Sequence, residues 1–94
     1  MNPLAILVEA LGTFIFVSVI FATSNPWAIG ATLAVLIFLV GSISGGHFNP
    51  AVTAATLWNR GIATDNAIAY IIAQVAAGVA AVTVYTRMRK QGVF

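Results

Sequence analysis

Three long apolar stretches alternate with short polar breaks along this chain. Leu4 to about Thr23 contains some twenty residues and one charge, Glu9. After Ser24-Asn25-Pro26, which reads as a tight turn, a second stretch runs from Trp27 to about Ser42 or Ser44. A third runs from Ala67 to about Thr86. An α-helix needs about 20 mostly apolar residues to cross a hydrocarbon core about 30 Å thick. The pattern therefore predicts membrane spans over residues 4–23, 27–44 and 67–86 of an all-α integral membrane protein. In the third, Ala69, Ala73, Ala77 and Ala81 recur every four residues with Gly78 nearby, a spacing that lets helices approach closely in lipid.

Between the second and third spans the pattern changes. Ser44-Gly45-Gly46-His47-Phe48 is rich in glycine, and Asn49-Pro50 is a helix start. The Asn side chain can accept from the backbone N–H groups two or three residues on, and Pro is preset for the first helical position. A helix from Pro50 to about Asn59 would be roughly 15 Å long at 1.5 Å per residue, half of the hydrocarbon core. Residues 45–59 are thus expected to form a re-entrant loop and half-helix, with Gly45 to Phe48 extended. The competing reading is a surface loop before a capped helix, but residues 51–58 are too apolar for a surface. Irregular backbone at mid-membrane depth survives only where protein buries it or where it lines a wet cavity. Trp27 and Trp58-Asn59-Arg60 are expected at the interfaces, Gly61 at the helix end, and Thr64 or Asp65 as the next cap.

The string SGGHFNPAVT at 44–53 resembles the first Asn-Pro-Ala loop of the aquaporin, or major intrinsic protein, family. Glu9-Ala10-Leu11-Gly12-Thr13-Phe14 is similar to the family's first-helix motif, and Tyr70-Ile71-Ile72-Ala73-Gln74 to its third. The resemblance covers nearly the whole chain but one half of a usual member, which has two such repeats and six spans. It implies a passive channel for water, and for small neutral solutes such as glycerol. In that reading Asn49, Pro50 and Ala51 form the central motif, and the carbonyls of Gly45, Gly46, His47 and Phe48 line the pore wall. Asn49 would donate to a permeating water at mid-membrane, turning its hydrogens away along the pore and interrupting proton conduction beside a positive helix end.

Composition narrows the class. The 94 residues are 61% hydrophobic and 6% charged, with a mean hydropathy of +1.02. These values belong to an integral membrane protein of one domain, residues 1–94; a plasma membrane or bacterial inner membrane is the expected location. The first stretch lacks a basic leader and a clear cleavage site, so it reads as a retained span. No cysteine is present, and the net charge of +2 includes a small basic cluster at Arg87, Arg89 and Lys90. That cluster marks a membrane edge, not a face for nucleic acid. No catalytic dyad, phosphate loop or metal-ligand set is visible, so neither an enzyme nor a cofactor or metal protein is expected.

Individual polar residues carry the remaining chemistry. An ionisable group inside a span, such as Glu9, is by default functional. Two roles compete: proton or cation binding in a small dual-topology multidrug exporter, or acceptance of loop N–H groups as the resemblance implies, with Gln74 in a similar supporting role. His47, the lone histidine, reads as a loop brace near the pore mouth. By resemblance, Val52 stands where the second motif of full-length members carries an arginine, and Ile29 where water-selective members carry an aromatic. Both are candidates for a less polar constriction.

A half-helix reaching only to mid-membrane needs something opposite it. In the family a second, inverted repeat supplies it. For this chain the expectation is a homo-oligomer built on antiparallel pairs, with a two-fold axis in the membrane plane, each pair completing one pore in the bilayer. A separately encoded second half, or a non-conducting membrane subunit, is the alternative.

Overall fold

All three prolines follow an asparagine, and in the computed structural model, which describes residues 1–94, each Asn-Pro pair opens a helix. Asn2 starts α1 (Pro3–Thr23) by accepting from the Ala5 amide at 3.1 Å. Asn25 starts α2 (Pro26–Ser44) by accepting from Trp27 and Ala28, so this pair is a helix cap as well as a turn. Asn49 starts α3 (Pro50–Trp58) by accepting from Ala51 at 2.8 Å. The fourth helix, α4 (Thr64–Lys90), departs from the expected cap: Ala63 precedes it and no side chain bonds its first turn. It also runs past Thr86. No Gly or Pro interrupts residues 86–90, and Arg87, Arg89 and Lys90 lie in the last turn, where cations favour the negative end of the helix dipole.

The chain is all helix, and α1, α2 and α4 are each long and apolar enough to cross a membrane. The nine residues of α3 rise about 14 Å, half of a hydrocarbon core. Helices α1 and α4 form the main pair and run parallel. The Asn2 amide donates to Asn66 Oδ1 at one end, and the Phe21 and Tyr85 rings meet at 6.1 Å near the other. Helix α2 returns antiparallel along α1, and α3 packs on α4. The chain measures 44 Å along its longest axis, close to the 40–45 Å of a bilayer with headgroups.

The interior is polar and the exterior apolar, the reverse of a water-soluble domain. The largest fully buried side chains are Gln74, Glu9 and Thr53, while Phe38, Trp27 and Trp58 are each at least 85% exposed. Apolar side chains gain nothing by leaving lipid tails, whereas an unsatisfied polar group in hydrocarbon costs several kcal/mol. The inward stripe of α4 is accordingly Ala67, Tyr70, Gln74 and Ala81. Of the alanine series read from the sequence, Ala81 is buried and Ala69, Ala73 and Ala77 are half-buried, because the helix is turned to bring Gln74 and Tyr70 to the loop.

Residues 45–48 are not extended. Gly45 (φ +93°), Gly46 (φ +64°) and Phe48 (φ +53°) all lie in the left-handed region. Gly45 ends α2, its amide donating to Gly41 at 2.7 Å. These left-handed residues turn the chain sharply between α2 and α3. Phe48 then lies on α1 at Gly12, where any Cβ would fall inside its ring. The end of α3 also differs from expectation. Arg60, not Gly61, takes the left-handed position (φ +59°), and Gly61 donates to Thr56 and Arg60 to Leu57, the paired bonds of a Schellman motif.

Candidate functional site: the re-entrant loop and half-helix

Glu9 sits on α1 with no exposed surface and organises the loop. Its Oε2 accepts from Ser44 Oγ at 2.6 Å and from the His47 amide at 3.0 Å. Its Oε1 accepts from the Phe48 amide at 2.7 Å and from Gln74 Nε2 at 2.9 Å. All four partners are donors, so the carboxyl acts solely as an acceptor. Ser44 Oγ in turn accepts from the Gly46 amide at 3.2 Å, and Tyr70 on α4 donates to the Ser44 carbonyl at 2.7 Å. One residue on α1 and two on α4 thereby fix a loop that has no regular structure of its own.

A second branch ties the loop to α3. Gln74 Nε2 also donates to Thr53 Oγ1 at 2.9 Å, and Thr53 Oγ1 lies 2.8 Å from His47 Nδ1. Which of the two donates in the His47–Thr53 contact depends on the His47 tautomer. The His47 ring also meets Tyr70 edge-on at 5.3 Å.

The polarity of the loop follows from this anchoring. The amides of Gly46, His47 and Phe48 point inward to Ser44 and Glu9. The carbonyls of Gly45, Gly46, His47 and Phe48 accept no hydrogen bond from the chain, and Asn49 Nδ2 and the Val52 amide donate none. The amides of residues 46–48 are used inside, and the carbonyls of residues 45–48 are left over. Asn49 is exposed, and with Phe48 and Pro50 it closes one end of a groove of about 580 Å³. The groove runs on between the second halves of α1 and α4, past Thr13, Val17, Gly78 and Thr83, on the side of the membrane that α3 does not occupy.

Among the residues singled out from the sequence, Glu9, Gln74, Gly46, His47, Phe48 and Thr53 are drawn into one network. Asn49, Pro50 and Ala51 form the tip of α3 at its edge. Ile29 and Val52 are not brought together: Ile29 lies in the first turn of α2, almost a helix length from Ser44, and α2 packs on α1 alone. The sequence reading did not single out Ser44 and Tyr70 for the loop, nor Thr13 for the groove. Tyr70 and Thr13 were legible as polar members of otherwise apolar spans. Ser44 was quoted as the first residue of the 44–53 string but given no role of its own.

Three helices long and apolar enough to cross a membrane, with a nine-residue helix packed on α4, define a polytopic membrane protein. The profile of the major intrinsic protein family matches residues 5–93, and the chain belongs to that family. It is similar to glycerol uptake facilitator protein-like 6 of Lactiplantibacillus plantarum, 45% identical over 84 residues, which cover 80% of this chain and 39% of that one. It is 44% identical over 92 residues to aquaporin Z of Photorhabdus laumondii, with 81% and 39% covered. Aquaglyceroporin AqpS of Rhizobium meliloti is 42% identical over 57 residues, 61% of this chain and 24% of the relative. The chain thus spans about two-fifths of the length of the first two relatives.

Proposed function

We propose that the chain forms one half of a passive channel for water and small neutral solutes, completed by an inverted second copy. The observation that carries this reading is the one-sided loop: amides drawn inward to Glu9 and Ser44, carbonyls 45–48 and Asn49 Nδ2 left unpaired. A file of acceptors ending at a donor suits a molecule that both accepts and donates and carries no charge. The unpaired N–H groups and dipole at the start of α3 add a partial positive charge that opposes cations. The names of the relatives, two of which refer to glycerol and one to aquaporin, agree with this solute class.

The role of Glu9 follows from its burial. A proton-coupled exporter would need this carboxyl to meet the transport path, yet it is fully enclosed and holds four donors. We assign it, with Gln74, to holding the loop. Pairing rests on α3, which reaches only half-way across and leaves its tip and groove open. Stopped-flow light scattering on proteoliposomes tests the proposal. Osmotic shrinkage is expected to be several-fold faster than in empty vesicles and to fall back with Asn49→Asp, which removes the free donor. Shrinkage equal to empty vesicles would instead make the chain a non-conducting subunit.

A further inference from the structure

The end of α4 carries the chain's one cluster of like charges. Arg87, Arg89 and Lys90 are exposed and none is ion-paired. The single salt bridge joins the Met1 amino group to Asp65 at the other end of the α1–α4 pair, and the remaining acidic side chain, Glu9, is buried in the loop network. Two ordinary roles leave part of the cluster unexplained. Cations favour the negative end of a helix dipole, and basic residues mark a cytoplasmic edge, but neither role depends on where a side chain points. Nor are these side chains needed as caps. The carbonyls of Arg87, Met88 and Arg89 accept from the backbone amides of Gln91, Val93 and Gly92 at 3.1, 3.0 and 3.0 Å.

The direction of Arg89 is specific. Its guanidinium folds back one turn, and Nη1 donates to the Tyr85 hydroxyl at 3.2 Å. That hydroxyl donates to nothing in the chain, so its proton and the remaining guanidinium N–H groups are free donors side by side. Tyr85 is itself held between two rings, Phe21 at 6.1 Å and Phe94 at 5.4 Å. Gly92, in the left-handed region (φ +81°), turns the chain so that Phe94 reaches back. A slot of about 150 Å³ adjoins the Tyr85 ring between α1 and α4. It runs from Phe14 to Ala22, about 12 Å at 1.5 Å per residue, with Met88 and Phe94 on its other walls. Its second hydroxyl, Ser18, is spent on the Phe14 carbonyl, so the slot offers a guest apolar contact.

We propose that this end of the α1–α4 pair is a binding site for one anionic phospholipid. The phosphate takes the Arg89 guanidinium and the Tyr85 hydroxyl, Arg87 and Lys90 supply the surrounding positive charge, and an acyl chain lies in the slot. A phosphate oxygen accepts from both donors, and bonds of this charge-assisted kind are shorter and stronger than neutral ones. The depth fits, because tyrosine is enriched at the headgroup level. The occupant is a lipid and not free phosphate, since the donors adjoin an apolar slot that a bare ion would leave empty. The site depends neither on conduction nor on pairing.

Thermal melting of the purified chain in uncharged detergent tests the site with three additives. Dioctanoyl-phosphatidylglycerol carries charge and chains, dioctanoyl-phosphatidylcholine the same chains without net charge, and inorganic phosphate charge without chains. The first should raise the melting temperature along a saturable curve, as a ligand of the folded state does. The other two should raise it little at the same concentration. Affinity is read from the concentration at half-maximal rise, so it does not depend on where each variant starts to melt. Arg87→Gln should weaken it about fivefold, the effect of one basic residue near an anionic surface. Arg89→Gln should weaken it further. Tyr85→Phe changes no charge and should weaken it about fivefold, the effect of one hydrogen bond. If Tyr85→Phe binds like wild type while Arg87→Gln, Arg89→Gln and Lys90→Gln weaken binding equally, the attraction is diffuse and the site is wrong. It is equally wrong if phosphatidylcholine or inorganic phosphate matches phosphatidylglycerol.

Discussion

Glu9 carries the heaviest demand of any single residue, and replacing it by Gln shows why. The amide keeps the shape but turns one acceptor into a donor. In one orientation the new NH2 faces Ser44 Oγ and the His47 amide; in the other it faces the Phe48 amide and Gln74. Either way at least one loop N–H is left buried against another donor, at about 1–3 kcal/mol for each orphaned group. The expected outcome is a lower melting temperature in detergent by circular dichroism, with helix content retained and osmotic permeability reduced to that of empty vesicles. The loop, not the spans, is what Glu9 holds. Its distance in sequence from its partners explains how it could be read beforehand. A carboxylate bonding amides 38 and 39 residues away leaves no trace in hydropathy, and only the family resemblance pointed to those amides. The bonds of Tyr70 and Ser44 had no such pointer.

At the scale of the element, α1 and α2 end at Thr23 and Ser44, where the hydropathy pattern put them, whereas only Asn49-Pro50 among the three Asn-Pro pairs was read as a helix start, and α4 differs at both ends. The Asn-Pro pairs are local signals: cap acceptor and preset φ sit side by side, and the structure uses both at 2–3, 25–26 and 49–50. The end of α3 depends on where the next segment must go. Gly61 is the obvious stop for α3, but the chain turns at Arg60 and keeps Gly61 for the close approach to Thr56, whose Cγ2 would lie 2.9 Å from an added Cβ. Phe48 takes a left-handed conformation for a similar reason, since its ring must reach Gly12 while its amide reaches Glu9. A side chain in that region costs roughly 1–2 kcal/mol relative to the right-handed one, a penalty glycine escapes. Arg60 is exposed and makes no side-chain hydrogen bond, so Arg60→Gly should relieve strain without removing a contact. An upward shift in melting temperature equivalent to about 1 kcal/mol is expected. An unchanged or lowered value would mean that the guanidinium contributes at the membrane edge more than its backbone loses.

The whole molecule sets its own orientation through a handful of charges. The parallel pair α1–α4 puts the N-terminal ends of both helices, and Arg60, on one side of the bilayer, and Arg87, Arg89 and Lys90 on the other. Acidic groups such as Asp65 count for little in this balance, and basic residues near span ends are retained in the cytoplasm. The three-to-one asymmetry therefore favours copies with residues 87–90 inside, whereas the proposed pore needs a copy of each orientation. The minority orientation then limits the number of complete pores. Replacing Arg87 and Arg89 with Gln leaves one basic residue, Lys90, opposite Arg60 and should bring the two orientations closer to equal. Helix α4 should persist, because both side chains are exposed and the sole hydrogen bond lost is the 3.2 Å contact from Arg89 to Tyr85. Labelling of single cysteines at 59 and 91 from each side of intact cells would read the mixture directly. Permeability per copy should rise with the minority fraction and fall again when a lysine is added near residue 91. If permeability stays constant while the mixture changes, the conducting unit does not require oppositely inserted copies.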